Sequence, residues 1–210
     1  MPSRAGVQSR ASRPRSRRGE GGQLAEDILA AAAAVIDETG DESSVTLSGI
    51  ARRVGVAVPS IYLHFPNVQE ICSQVVTRAW QAYLHAITVD RDRTAAVAEQ
   101  IEQFALDYVG FARRSPGLYR VLFARAGASA LQDVHNEAGE SFTELVAAMA
   151  SVLGLDPLSV EARNAATGVW IQLHGIADLP PAHPRFAWPD DATLIREALL
   201  RSGVRSDGTS

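Results

Sequence analysis

The sequence predicts an all-α protein. Three observations carry that expectation. Apolar residues recur at spacings of three and four along most of the chain, the period of a helix with one buried face. Glycine and proline, 16 and 10 in number, fall between those periodic stretches and divide them. Aromatic residues make up only 6% while alanine is abundant, which favours helices over a β-sandwich. With 210 residues the chain can bury a sizeable core, in one domain or in a small domain joined to a larger one. No strand and no internal repeat is legible, and nine helices are expected.

Residues 1–22 are rich in Arg, Ser and Gly without apolar periodicity and read as disordered. The first helix is expected over 23–39, with Leu24, Ile28, Ala31 and Val35 on one face and Gly40 as its stop. A polar loop leads to Thr46, which can N-cap a short helix through Val54. Gly55 starts a tight turn. Residues 58–65 form a second short helix, with Pro59 accommodated in its first turn. Pro66 closes it, and Asn67 caps a long helix over 68–89 with the stripe Val68, Ile71, Val75, Ala79 and Tyr83. The next helix, 93–114, carries Val97, Ile101, Phe104, Tyr108 and Phe111. Ser115-Pro116-Gly117 reads as a break before a short helix over 118–126. A helix over 128–153 turns Leu131, Val134, Leu145, Met149 and Val152 inward. Residues 158–179 are helical, 180–189 a proline-rich loop, and 190–201 a final amphipathic helix.

Charge is distributed unevenly. All 20 basic residues are arginine. Residues 1–22 are net +5, 23–89 net −4 and 90–210 net −5, so an acidic body follows a basic arm. Such arms often meet nucleic acid; the bland alternative is a solvated tail. A cleaved signal is disfavoured, because Glu20, Glu26 and Asp27 interrupt the join between the arginines and the alanine-rich run, and that run has helical phase. The longest apolar run, Ile28 to Ile36, is far short of the ~20 residues that span a bilayer. A single cysteine, Cys72, excludes an intramolecular disulfide. These features suggest a cytoplasmic protein without a membrane partner.

Function is most legible over residues 45–64. Short helix, glycine turn and short helix make a helix-turn-helix, whose second helix can enter a major groove while the first braces it. The stretch Ile28-Leu29, Gly40, Val45-Thr46-Leu47, Ile50-Ala51, Gly55-Val56 and Ile61-Tyr62-Leu63-His64-Phe65-Pro66-Asn67 resembles the tetracycline-repressor (TetR) family of bacterial transcription regulators. The resemblance implies a homodimer. In it a three-helix DNA-binding domain, here 23–67, precedes a larger helical ligand-binding and dimerisation domain, here 68–203, with 204–210 as a disordered tail. A weaker resemblance, Trp170-Ile171-Gln172-Leu173-His174-Gly175, is to the Trp-x-x-x-His-Gly subgroup of that family's C-terminal domains.

The resemblance implies double-stranded DNA as partner and a set of contacts to it. Tyr62 and His64 match positions that touch phosphate, and Ser60 one that faces DNA; each ring can equally be packing. Thr46 leaves a helix N-terminus toward the backbone, or is simply a cap. Val58, Leu63 and Val68 depart from the polar or basic residues usual in relatives. Val58 or Pro59 can still touch a thymine methyl. Arg13, Arg15, Arg17 and Arg18 of the arm supply positive charge that the reader lacks.

For a small-molecule ligand of unidentified structure, the candidates are Phe104, Tyr108, Phe111, Tyr119, Phe123, Asn136, Trp170 and His174, an apolar set with a few polar handles. Each aromatic at helical spacing has core packing as its plainer role. For the dimer interface the candidates are Gly168, Val169, Gly175, Ile176, Leu194 and Ala198, on helices apolar enough to need burial on two sides. No histidine pair has metal-ligand spacing with a carboxylate, so neither metal nor cofactor is expected. Catalysis is not expected either. There is no phosphate-binding glycine loop, and Gly127-Ala128-Ser129-Ala130 lacks the second glycine and preceding strand of a nucleophile elbow. The remaining alternatives are an activator of the same fold and a helical interaction module that does not bind DNA.

Overall fold

The structure, a computed structural model, describes residues 20–88, 95–125 and 132–205, apart from the side chains at 20, 21, 88, 125, 132–138 and 140. The described residues form nine α-helices and no strand. They are α1 (Glu20–Thr39), α2 (Leu47–Val54), α3 (Val58–Tyr62), α4 (Val68–Thr88), α5 (Val97–Arg114), α6 (Pro116–Arg125), α7 (Gln132–Leu153), α8 (Val160–Ala182) and α9 (Asp191–Arg201). A single 3-10 turn, Glu42–Ser44, follows α1. No helix among the described residues is long and apolar enough to cross a membrane. Residues 1–19 of the arm expected to be disordered, with Arg13, Arg15, Arg17 and Arg18, lie outside the described residues; 20–22, expected in that arm, are instead the start of α1.

Helices α1 to α3 pack around Ile28, Ile36, Ile50 and Ile61, all at most 1% exposed. Thr46 accepts the amide of Gly49 as the N-cap of α2, and Gly55 ends that helix in the left-handed region, at φ +77°. Asn67 accepts the amide of Glu70 and caps α4. Helix α4 then runs from the reader into the larger domain, touching α1 and α5, α6 and α7. There the core continues through Ile71, Ile87, Ile101, Tyr108, Leu122, Met149, Leu173 and Ile195.

Several boundaries differ from the sequence reading: α1 starts at Glu20 rather than 23, and α8 at Val160 rather than 158. Helix α3 ends at Tyr62, and Leu63 and His64 form a turn before buried Phe65. Helix α5 starts at Val97 rather than 93. The break after α5 falls at Ser115, as expected, but Pro116 and Gly117 already form the first turn of α6, where proline loses no intrahelical bond. Helix α8 continues through Pro180 and Pro181, which were expected in a loop. The reason is Arg113 on α5. The two prolines have no amide to give to the carbonyls of Ile176 and Ala177, four residues back. Arg113 supplies that lack, donating from Nη2 to Ile176 O and from Nη1 to Ala177 O, each at 2.9 Å. The same guanidinium pairs with Asp191 at the start of α9, at 2.9 and 2.7 Å. One side chain thus holds α5, α8 and α9 together. Val204, placed at the start of the tail, is buried, and its amide donates to Leu199 O.

Candidate DNA-reading surface and ligand cavity

The reader presents its recognition helix as a ridge. Ile61 and Phe65 point into the core, as expected. Thr46, Pro59, Tyr62 and Leu63 are exposed, while Val58, Ser60 and His64 are half-buried at the edges. The ridge is largely apolar, with Leu63 at 83% exposure its most prominent side chain. Positive charge nearby is scarce. Arg53 is clasped by Glu38 of α1, and Arg78 by Glu26 of α1. Those hydrogen bonds hold both carboxyls below the ordinary glutamate value. Arg52 is the reader arginine that no described carboxylate holds.

The larger domain contains a cavity of about 580 Å³ between α4, α5, α6, α7 and α8. That size suits a drug-sized molecule. Of the expected ligand residues, Phe104, Phe123, Trp170 and His174 line it. Tyr108, Phe111 and Tyr119 are buried behind the wall, and Asn136 lies outside the residues whose side chains are described. The structure adds Trp80, Tyr83, Gly139, Ser141, Phe142, Leu145 and Ile171. Tyr83 was visible in the sequence as part of the α4 stripe. Trp80, one turn earlier on the same buried face, and Phe142 gave no separate signal.

Behind the wall lies a polar triangle. The hydroxyls of Tyr108 and Tyr119 are 3.1 Å apart, and His174 Nδ1 is 2.9 Å from the first and 2.6 Å from the second. Burial raises the Tyr108 hydroxyl to about 12, against the pull of its hydrogen bond with Tyr119, and burial raises Tyr119 further. Both phenols stay protonated, so two hydroxyl hydrogens must find acceptors.

The cavity and the reader share supports. Asp37, in the last turns of α1, accepts the amides of Gly117 (2.9 Å) and Leu118 (3.2 Å) at the start of α6. It caps that helix from another element. Gly117 is there because nothing larger fits: a methyl at its Cα would sit 2.2 Å from the Asp37 carbonyl oxygen. Helix α6 carries Phe123 of the cavity wall at its other end.

On α8 the small residues Ala162 and Ala166, with Val169, Leu173 and Ala177, face the chain's own core. Val169, expected at a dimer interface, is therefore 1% exposed, and Ala198 of α9 is buried likewise. Ile176 and Leu194 are half-buried. Gly168 and Gly175 lie on the opposite side, with open space where a side chain would stand. Val160, Ile171 and Leu179 are exposed along the same helix.

Residues 28–75, which contain the helix-turn-helix, match the family described as bacterial regulatory proteins, tetR family. Residues 101–202 match a tetracyclin repressor-like C-terminal domain. The chain belongs to the TetR family. Members of that family are bacterial regulatory proteins that act by binding DNA rather than by catalysis. The C-terminal match does not single out the Trp-x-x-x-His-Gly subgroup. Solved structures share the fold. A TetR-family regulator from Haemophilus influenzae superposes with a TM-score of 0.63 at 21% identity, covering 89% of this chain and 97% of that one. A TetR-like regulator from Rhodococcus sp. RHA1 gives 0.67 at 19% identity, with the same coverage. In sequence, the chain is similar to the nucleoid occlusion factor SlmA of Vibrio campbellii, 29% identical over 101 residues. That stretch is 48% of this TetR-family chain and 52% of the relative, so the chain spans about half the length of the curated SlmA proteins it matches.

Proposed function

We propose that this regulator binds a pseudo-palindromic operator as a homodimer and acts as a repressor that a small, mostly apolar ligand releases. The observation that carries the reading is the shared support: α4 and α6 both carry cavity-wall residues, and both are anchored to the reader. Helix α4 begins three residues after the buried Phe65 and brings Trp80 and Tyr83 to the cavity. Helix α6 holds α1 through Asp37 and Gly117. A ligand that spreads α4 from α6 therefore reorients the reader. Moving occupancy from 99:1 to 1:99 takes about 5.5 kcal/mol of differential binding.

Two readers must face half-sites about 34–36 Å apart, one helical turn. The exposed α8 side with Gly168 and Gly175 supports a close helix approach from a second copy, flanked by Ile171 and Leu179. The interface is thus assigned to this side and not to Val169 or Ala198. The cytoplasm, where the DNA is, is the corresponding location. The arginine arm compensates for a reader whose Arg53 and Arg78 are already engaged. Replacing Ser60 and Tyr62 together by alanine tests the reader: operator affinity falls at least tenfold while the melting temperature holds. Unchanged affinity would remove the recognition role from α3.

A further inference from the structure

We infer that the cavity takes a neutral, flat aromatic molecule bearing a hydrogen-bond acceptor, which the Nε2–H of His174 orients. The inference deepens the ligand-released reading and rests on it for function, though not for binding.

The first argument is a hydrogen count. Three atoms form the buried triangle: Tyr108 Oη, Tyr119 Oη and His174 Nδ1. Each edge can hold one hydrogen. With Nδ1 bare, the two hydroxyl hydrogens fill two edges and both are satisfied. With a hydrogen on Nδ1, the imidazole takes one edge and one hydroxyl takes the oxygen–oxygen edge. The other hydroxyl is then stranded, in a site where Tyr108 is fully buried and Tyr119 nearly so. The neutral imidazole therefore carries its hydrogen on Nε2. That nitrogen lies across the ring from the tyrosines, on a residue that lines the cavity, and no described group accepts from it. His174 offers the cavity a donor.

The second argument is the rest of the wall. Two further polar atoms on lining residues, Trp80 Nε1 and Ser141 Oγ, are buried without any partner and have no surface open to the cavity, so His174 is the donor that a guest can reach. The His174 donor favours an oxygen or nitrogen lone pair on the guest. No described lining residue carries a fixed charge. A carboxylate among these rings would lose its hydration, and the His174 donor opposes a cation. Trp80, Tyr83, Phe104, Phe123, Phe142 and Trp170 place six rings around the space. They already pair edge-on or tilted, as with Trp80–Phe123 at 5.6 Å and Phe142–Trp170 at 5.8 Å. A planar aromatic guest extends that packing; an acyl chain gains area alone.

The test uses the full chain and five probes: flavone, the acceptor-free hydrocarbon 2-phenylnaphthalene, flavone-2′-carboxylate, an N-methylated quinolinium and palmitate. Binding is read by quenching of tryptophan fluorescence, since Trp80 and Trp170 line the cavity, and by the rise in melting temperature. Flavone is expected to bind at least tenfold more tightly than each of the others. His174→Phe keeps a ring and should bring flavone to the hydrocarbon's affinity, with the hydrocarbon changed less than threefold. His174→Gln, which retains a donor, should keep part of the flavone advantage. Tighter binding of palmitate or either ion, an unchanged flavone ratio in His174→Phe, or no binding of any aromatic probe would overturn the inference. Release of operator DNA is scored separately. Flavone bound without release would leave this inference standing and refute ligand control. Palmitate bound with release would do the opposite.

Discussion

Replacing Arg113 by alanine should loosen the joint between α5, α8 and α9, and the size of the loss follows from what the guanidinium holds. Ile176 and Ala177 have no helical donor, because Pro180 and Pro181 stand where their amide partners would be. A polar group left unsatisfied inside a protein costs about 1–3 kcal/mol. The Arg113 side chain is 27% exposed, so water reaches part of the gap and the low end applies, about 2 kcal/mol for the two carbonyls. The ion pair with Asp191, whose side chain is 37% exposed, adds about 1 kcal/mol at most. The expected loss is about 3 kcal/mol, or roughly 6–12 °C in melting temperature for a chain of this size. Urea unfolding at fixed protein concentration measures it. Asp191→Ala should cost only about 1 kcal/mol, since the carbonyl contacts remain. Changing Pro180 and Pro181 to alanine restores two amides. That pair should recover about half of the Arg113→Ala loss and help the parent protein much less, a coupling that a double-mutant cycle isolates. The reasoning fails if Arg113→Ala costs no more than Asp191→Ala, or if the proline replacements act equally in both backgrounds.

Three further outcomes follow from the same structure. Gly117→Ala puts a methyl against the Asp37 carbonyl and should separate α6 from α1, costing about 1–3 kcal/mol; operator affinity measured with and without a cavity-bound probe should then differ less than in the parent, and an unaltered difference rules out this linkage. Deleting residues 1–22 should flatten the slope of log operator affinity against log salt by roughly five units, if three arginines per subunit neutralise phosphates at about 0.9 each; an identical slope excludes the arm from binding. Glu26 and Glu38 are held low mainly by hydrogen bonds from Arg78 and Arg53, and Asp190 mainly by the Thr193 amide. A lowered folded value stabilises above the unfolded value and is lost as pH falls through the folded one. The urea midpoint should therefore be insensitive to these groups from pH 7 to 5 and decline below about pH 4; their neutral variants, Glu26→Gln and Glu38→Gln, should flatten the decline, and an unaltered decline refutes the assignment.

The sequence carried the helices because each has one apolar stripe and a chemical stop. Thr46, Gly55, Asn67 and Gly154 mark ends that local chemistry alone determines. Where another element supplies the missing partner, local reading failed. Pro180 and Pro181 stay helical where Arg113, more than sixty residues earlier, serves the freed carbonyls. Gly117 opens a helix because Asp37 caps it from α1. The cavity was half legible for a related reason. Periodicity shows that Phe104, Tyr108 and Phe123 turn inward, but not which inward face meets space and which meets another ring. Trp80 and Phe142 therefore went unnoticed, while Phe111 proved to pack on Tyr83. Val169 was assigned outward because α8 looked apolar all round; its register against Ala162, Ala166 and Leu173 puts it inside.

Selection of bound sequences from random duplex DNA by the purified full chain tests the central claim most directly. The account predicts an enriched pseudo-palindrome with half-sites one helical turn apart, bound with a steep salt dependence and lost in the Ser60→Ala, Tyr62→Ala double variant. Enrichment of no sequence at all, or of a motif the double variant binds equally well, would contradict it.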